Sequence, residues 1–186
     1  SEKRRNLMVV IAVALASCLI CFSIVMALST RQIEKNHVED TYEAVYTRIT
    51  EEDVSTLKGL DDFSRVGEYY MLAVEPAEQG YNASYIYCDD ETMYIARDQM
   101  RLLEGRLPQK EDEVAVSRYF LSNYGADAGI GEKVMLNSES FHGEYTVTGI
   151  LEGYKEKEVN GSSILLSKEA LKGWSGYDPA DYRAYV

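Results

Sequence analysis

Gly125, Gly129, Gly131 and Lys133 fall within the run GADAGIGEK, the kind of glycine-rich loop whose backbone N–H groups can cradle phosphate. The spacing does not fit that chemistry. Ile130 stands five residues after Gly125, Val134 follows Lys133, and Val134 also occupies the third position after Gly131. A turn ahead of a strand accounts for these glycines. Three acid runs, Asp61-Asp62, Asp89-Asp90-Glu91 and Glu111-Asp112-Glu113, suggest calcium ligation or glycoside hydrolysis. None has the EF-hand spacing, and carboxylates adjacent in sequence do not face one another across a sugar. They read as solvated loops. His37 and His142 have no Cys or His neighbours at metal-ligand spacing, which leaves them capping or solvated roles. Without a Ser-His or Cys-His set, nucleophilic catalysis has no candidate residues. The sequence therefore names no catalytic, cofactor-binding or metal-binding residue, and it implies no cofactor. Asn82-Ala83-Ser84 and Asn160-Gly161-Ser162 match glycosylation acceptors, which matter only in a eukaryotic secretory host.

The elements that position these residues divide into two parts. From Leu7 to Leu28 the chain runs 22 residues without a charge, behind Lys3, Arg4 and Arg5. A helix of that length spans about 33 Å, enough for a hydrocarbon core of about 30 Å. The basic flank predicts a cytoplasmic N-terminus. A cleaved signal peptide would have a shorter apolar region. A lipoprotein site at Leu15-Ala16-Ser17-Cys18 would be followed by a polar tether, which is missing. A retained span is the better reading. Of the 31 acids and 19 bases in the 186 residues, 30 and 16 follow the span, so the outer part carries a net charge of −14. That balance, with no basic cluster, excludes a nucleic-acid partner. Cys18 and Cys21 lie within the span and read as small apolar residues; Cys88 stands alone outside it, so the outer domain is held by its core without a disulfide.

Beyond the span, Val38, Tyr42, Val45 and Ile49 recur at helical spacing, predicting that the membrane helix continues as a stalk to Thr50. Thr50 and Asp53 form a capping box for a short helix ending near Gly59. Strands are predicted over 64–74, 81–88, 113–117, 133–136, 145–151 and 162–166, with a final extended piece at 182–186. Helices are predicted over 97–103 and 118–123, with a helical turn at 168–171. Separate strand pairs and short helices predict an α+β fold, not regular βαβ repeats. The expected division is a basic cytoplasmic flank (1–6), a transmembrane helix (7–28), a helical stalk (29–50) and an extracytoplasmic α+β domain (51–186).

One ordered series is more specific. Gly105-Arg106-Leu107-Pro108 is followed by Glu113-Val114-Ala115-Val116-Ser117, then Gly131-Glu132-Lys133-Val134, then Val147-Thr148-Gly149-Ile150. Locally, Gly105 would end a helix that Pro108 keeps from continuing, Ser117 would cap the next helix, and Gly149 within an apolar strand predicts close backbone packing. The series, behind a basic-flanked span, resembles the extracytoplasmic core domain of MacB-type and FtsX-like ABC transporter permeases. The resemblance implies a bacterial permease subunit with a first span and an outer domain of MacB core type, three further spans outside these residues, and a cytoplasmic ABC ATPase on a separate subunit or domain. It also implies a second permease copy, an extracytoplasmic accessory protein, and mechanotransmission in which ATP hydrolysis inside moves the outer domain. The chain itself would not be an enzyme. No substrate-contact residue transfers.

A single-pass membrane-anchored sensor or adhesion ectodomain fits the span and the acidic domain as well, and three further spans after Val186 would separate the two readings. A membrane-anchored hydrolase is disfavoured by the missing catalytic set.

Overall fold

The computed structural model of the chain describes residues 2–39, 42–76, 82–124, 128–153, 156 and 161–186. The chain divides into two compact units, the first 40 residues and Thr41–Val186. The first unit is a helix, α1 (Glu2–Glu39), whose segment Glu2–Ser29 is long and apolar enough to cross a membrane. Ser17 and Ser23 turn their hydroxyls back onto the carbonyls of Val13 and Leu19, at 2.9 Å each, so neither exposes an unpaired polar group along the apolar stretch.

The second unit is built on one nine-stranded mixed sheet. Its strands are β1 (Val45–Ile49), β2 (Gly67–Pro76), β3 (Asn82–Cys88), β4 (Met100–Gly105), β5 (Glu113–Ser117), β6 (Lys133–Asn137), β7 (His142–Gly153), β8 (Gly161–Leu166) and β9 (Tyr182–Tyr185). The order is β1-β9-β2-β3-β8-β5-β7-β4, with β6 alongside the first part of β7. Two pairs are parallel, β3 with β8 and β5 with β7. Beside the sheet the described residues include helices α2 (Glu51–Lys58), α3 (Asp90–Ile95), α4 (Arg118–Tyr124) and α5 (Lys168–Gly173). Consecutive residues of the central strands feed opposite faces. Val114 and Val116 enter the larger core with Val54, Phe120 and Leu171, while Ala115 enters a smaller one with Met93, Met100 and Leu151. The whole of β5 is therefore buried. Phe141, at the turn between β6 and β7, lies 4.7 Å from Tyr85 and 6.1 Å from Trp174, ring centre to ring centre, which folds that hairpin over the larger core.

The fold class is the α+β expected, but several local expectations are corrected. The stalk helix does not reach Thr50: α1 ends at Glu39, and Val45–Ile49 is a strand paired with β9. The apolar residues in that segment suit either period, and a pairing partner about 140 positions downstream decides between them. Residues 97–103 are not a helix. They form a turn and most of β4, whose Leu102 lies opposite Leu151 of β7. Gly105 accordingly ends a strand. The helix in that neighbourhood is α3, opened by Asp89, whose carboxylate accepts the Thr92 N–H at 2.9 Å. β2 runs through Glu75 and Pro76, and Pro76 is its last residue, where a missing donor is tolerated. The capping box of Thr50 and Asp53 is present with both of its bonds, at 3.1 and 2.8 Å. Ser117 accepts the Phe120 N–H at 3.0 Å and so opens α4.

Candidate functional site

The ordered series of glycines and charges converges on one junction. Gly105 has φ +81° and lies opposite Gly149 in the β4–β7 ladder. The next residue, Arg106, donates its N–H to the carbonyl of Thr148 at 2.8 Å. Its guanidinium takes both carboxylate oxygens of Glu113, at 2.8 and 2.7 Å. Glu113 also accepts the backbone N–H groups of Gln109 and Lys110, at 2.9 and 3.2 Å. The carboxylate thus ties the loop between β4 and β5 into a closed turn. A two-pronged Arg–carboxylate bond fixes orientation as well as distance. Farther along the same edge of β7, the N–H of Gly131 reaches the Val147 carbonyl at 2.7 Å, and Glu132 accepts the Gly129 N–H at 2.7 Å. The junction sets the frame of the domain; it presents no nucleophile or open donor set to a ligand.

The bond to Arg106 pulls the pKa of Glu113 down to about 2, against the opposing effect of burial and with help from the two backbone donors. A carboxylate held below its ordinary range stabilises the fold fully above the ordinary pKa, and this contribution is lost as pH falls through the lowered value. Arg106→Met removes the largest of these effects and leaves burial in its place. Its acid unfolding midpoint is therefore expected to rise on the order of one pH unit. The half-buried Trp174, the single tryptophan, provides the fluorescence signal. Coincident acid transitions for variant and parent would show the pair to be idle.

A second cluster joins four elements around Glu68, a buried residue near the start of β2. Lys168, the first residue of α5, places its ammonium 2.6 Å from Glu68 and 2.7 Å from Glu51 at the start of α2. Lys172 adds a 3.0 Å contact to Glu51. Lys58, at the end of α2, reaches Asp89 at 2.8 Å and Glu68 at 3.8 Å. Asp89 also accepts the N–H of Glu68 at 2.9 Å. Burial disfavours the Lys168 ammonium, but Glu51 and Glu68 outweigh it and its pKa is raised. Its two lysine partners lower the pKa of Glu51. The sequence reading missed this cluster, although one signal was available: a charged residue within the apolar run of β2 must be exposed or partnered.

The structure also revises the acid runs. Asp89 and Glu113 are structural carboxylates and do not belong to solvated loops, whereas Asp61, Asp62, Glu111 and Asp112 are exposed. Glu111, Asp112, His142, Gly143, Glu144 and Tyr145 line an open recess of about 360 Å³. Lys133 already pairs with Glu144 there, at 2.9 Å. Among the described residues no three His, Cys, Asp or Glu side chains converge as a metal site would require. Cys88 is buried, and burial raises its pKa, which keeps it a protonated, unreactive thiol. The side chain of His37, and Asn160 of the second glycosylation triplet, lie outside the described residues; Asn82 of the first is exposed.

A family model described as the MacB-like periplasmic core domain matches residues 7–182. The extracellular domain of the noncanonic ABC-type transporter YknZ from Gram-positive bacteria is similar, with a TM-score of 0.53 and 19% identity over 74% of this chain and 72% of its own. A domain of a protein assigned as a permease, from Porphyromonas gingivalis, has a TM-score of 0.53 and 14% identity over 76% and 69%. The periplasmic region of MacB from Actinobacillus actinomycetemcomitans has a TM-score of 0.48 and 14% identity over 75% and 65%. No curated protein sequence matches. At such identities the structures speak for the fold, while the family model covers nearly the whole chain, including most of the apolar segment and every part of the junction at Gly105, Arg106, Glu113 and Gly149. The chain belongs to the family of MacB-like periplasmic core domains.

Proposed function

We propose that the chain is the first membrane span and outer domain of an ABC-type transporter permease, in which ATP hydrolysis on a cytoplasmic ATPase moves the outer domain. The observation that carries this reading is the family match, which begins within the apolar helix at residue 7 and runs through the domain to residue 182. Lys3, Arg4 and Arg5 then lie in the cytoplasm, residues 7–28 cross the bilayer, and the acidic domain faces outward. The expected partners are the ATPase, a second permease copy and an extracytoplasmic accessory protein. The backbone gives the movement a point of entry. Glu43 donates its N–H to the Val186 carbonyl at 2.6 Å, and Ala44 and Val186 exchange bonds at 3.3 and 3.1 Å, so the segment entering β1 lies beside the segment leaving β9. A displacement delivered there acts on β1 and β9 together.

The helical extension past Ser29 is ten residues, about 15 Å, half the reach expected from a helix continuing to Thr50. A proline at Val38, one residue from the end of α1, would unwind only its last turn, so the informative position is Ile33. Ile33→Pro removes an i→i−4 bond and kinks the rod. In the full-length transporter it is expected to lower transport about tenfold while ATP turnover stays within about twofold. Unchanged transport and turnover in correctly inserted protein would reduce the extension to a tether and remove the mechanical reading.

A further inference from the structure

The segment β1–α2 is held to the body of the domain by little apolar surface. β1 has one neighbour, β9, and its ladder is interrupted between Thr47 and Ile49, where Arg48 takes φ +58°. Its residues are exposed or half-buried throughout, so little apolar burial holds it. α2 is eight residues long, too short to be stable alone, and inserts Val54 as its single buried side chain, with Leu57 partly buried beside it. What ties it down at both ends is charge. Glu51 at its start meets Lys168 and Lys172, Lys58 at its end meets Asp89, and both ends converge on the buried Glu68 through Lys168 and Lys58.

We propose that β1 and α2 form an arm that opens from the body as one unit, and that the ion cluster around Glu68 is the latch that holds it closed. One member of the cluster is buried, and opening leaves it short of a partner: Glu68 keeps Lys168 within the body but loses Lys58, while Lys168 loses Glu51. The arm's own charged groups, Glu51 and Lys58, are each 38% exposed and their pairs are weak singly, so the latch acts through the buried carboxylate that they help to neutralise. The hinge is the turn at Gly59 and Leu60, whose N–H groups bond to Thr56 and Leu57 within the arm itself. As a route for movement into the domain the arm rests on the transporter reading; as an opening unit it does not.

Hydrogen exchange resolved by peptide, on the full chain in lipid nanodiscs, tests it. Lys168→Met is expected to speed exchange across residues 45–58 about tenfold and to leave β3, β5 and β8 unchanged, as local opening requires. Glu51→Gln, which keeps the buried Glu68–Lys168 pair, is expected to give a smaller rise over the same residues and serves if Lys168→Met does not fold. Exchange at 45–58 unchanged in Glu51→Gln, or raised equally in β3, β5 and β8, would overturn the latch. The readout needs no ATPase, so its failure leaves the transporter reading standing, and failure of the Ile33→Pro test leaves the arm measurable.

Discussion

Gly105→Ala is expected to leave the outer domain without a stable fold. At φ +81° an alanine costs about 1–2 kcal/mol for the left-handed backbone alone. A Cβ there would also stand 2.1 Å from the Thr148 carbonyl oxygen and 2.8 Å from Cδ1 of Ile130. The isoleucine end can swing away. The carbonyl cannot, because it belongs to the central part of β7 and accepts the Arg106 N–H. Strain and backbone collision together place the loss above about 4 kcal/mol, in the range where a single change unfolds a typical domain. Gly131 supplies the control. Its φ is +87°, but nothing lies within 4 Å of a Cβ placed there. Gly131→Ala should therefore cost only the backbone part, about 1–2 kcal/mol. Thermal unfolding followed at Trp174 separates the two. Equal midpoints would mean that β4 can shift away from Thr148, and the junction would lose its claim to rigidity.

The same comparison shows what the sequence could and could not disclose. Features closed within a few residues were legible: the Thr50–Asp53 capping box, Ser117 ahead of α4, and the strands at β3, β5, β6 and β8. Both hydrogen-bonding partners of the capping box and of the Ser117 cap lie in one short window, and those four strands carry enough β-branched and aromatic residues to be read without their distant partners. β1 and β4 were misread because each is a strand by virtue of a distant partner. β1 lies against residues 182–185 and β4 against residues 149–153. Local periodicity over 42–49 and 97–103 fits a helix as well as a strand, and tertiary pairing decides. The junction was half legible. Its members were picked out in order as a series, yet the bond between Arg106 and Glu113 was not visible, since it depends on the loop between β4 and β5 folding back on itself. Glu68 was missed altogether. Its partners come from α2 and α5, ten positions before it and a hundred after.

Gly149→Val sets strand propensity against packing at the same junction. Valine is favoured over glycine in strands, on a scale that spans about 1 kcal/mol. Against this, a Cβ at Gly149 would stand 2.6 Å from the Arg106 carbonyl oxygen and 2.9 Å from both the Ala115 Cβ and Cδ1 of Leu102. Three elements meet there: the loop that carries Arg106, β5, and β4. Leu102 can change rotamer, but Ala115 is completely buried in the parallel partner strand and has no rotamer to change. Alanine at this position should cost about 1–3 kcal/mol, the usual range for overpacking. Valine places two further methyl groups in the same space and should exceed that range, so packing outweighs propensity by severalfold. The expected order of thermal midpoints is parent, then Gly149→Ala, then Gly149→Val, with the acid transition that reports on Glu113 moving up in parallel as the Arg106 loop is pushed outward. A valine variant as stable as the parent would mean that the β4–β7 ladder can slide. The register that holds Arg106 against Glu113 would then be set by the ion pair instead of by the two facing glycines.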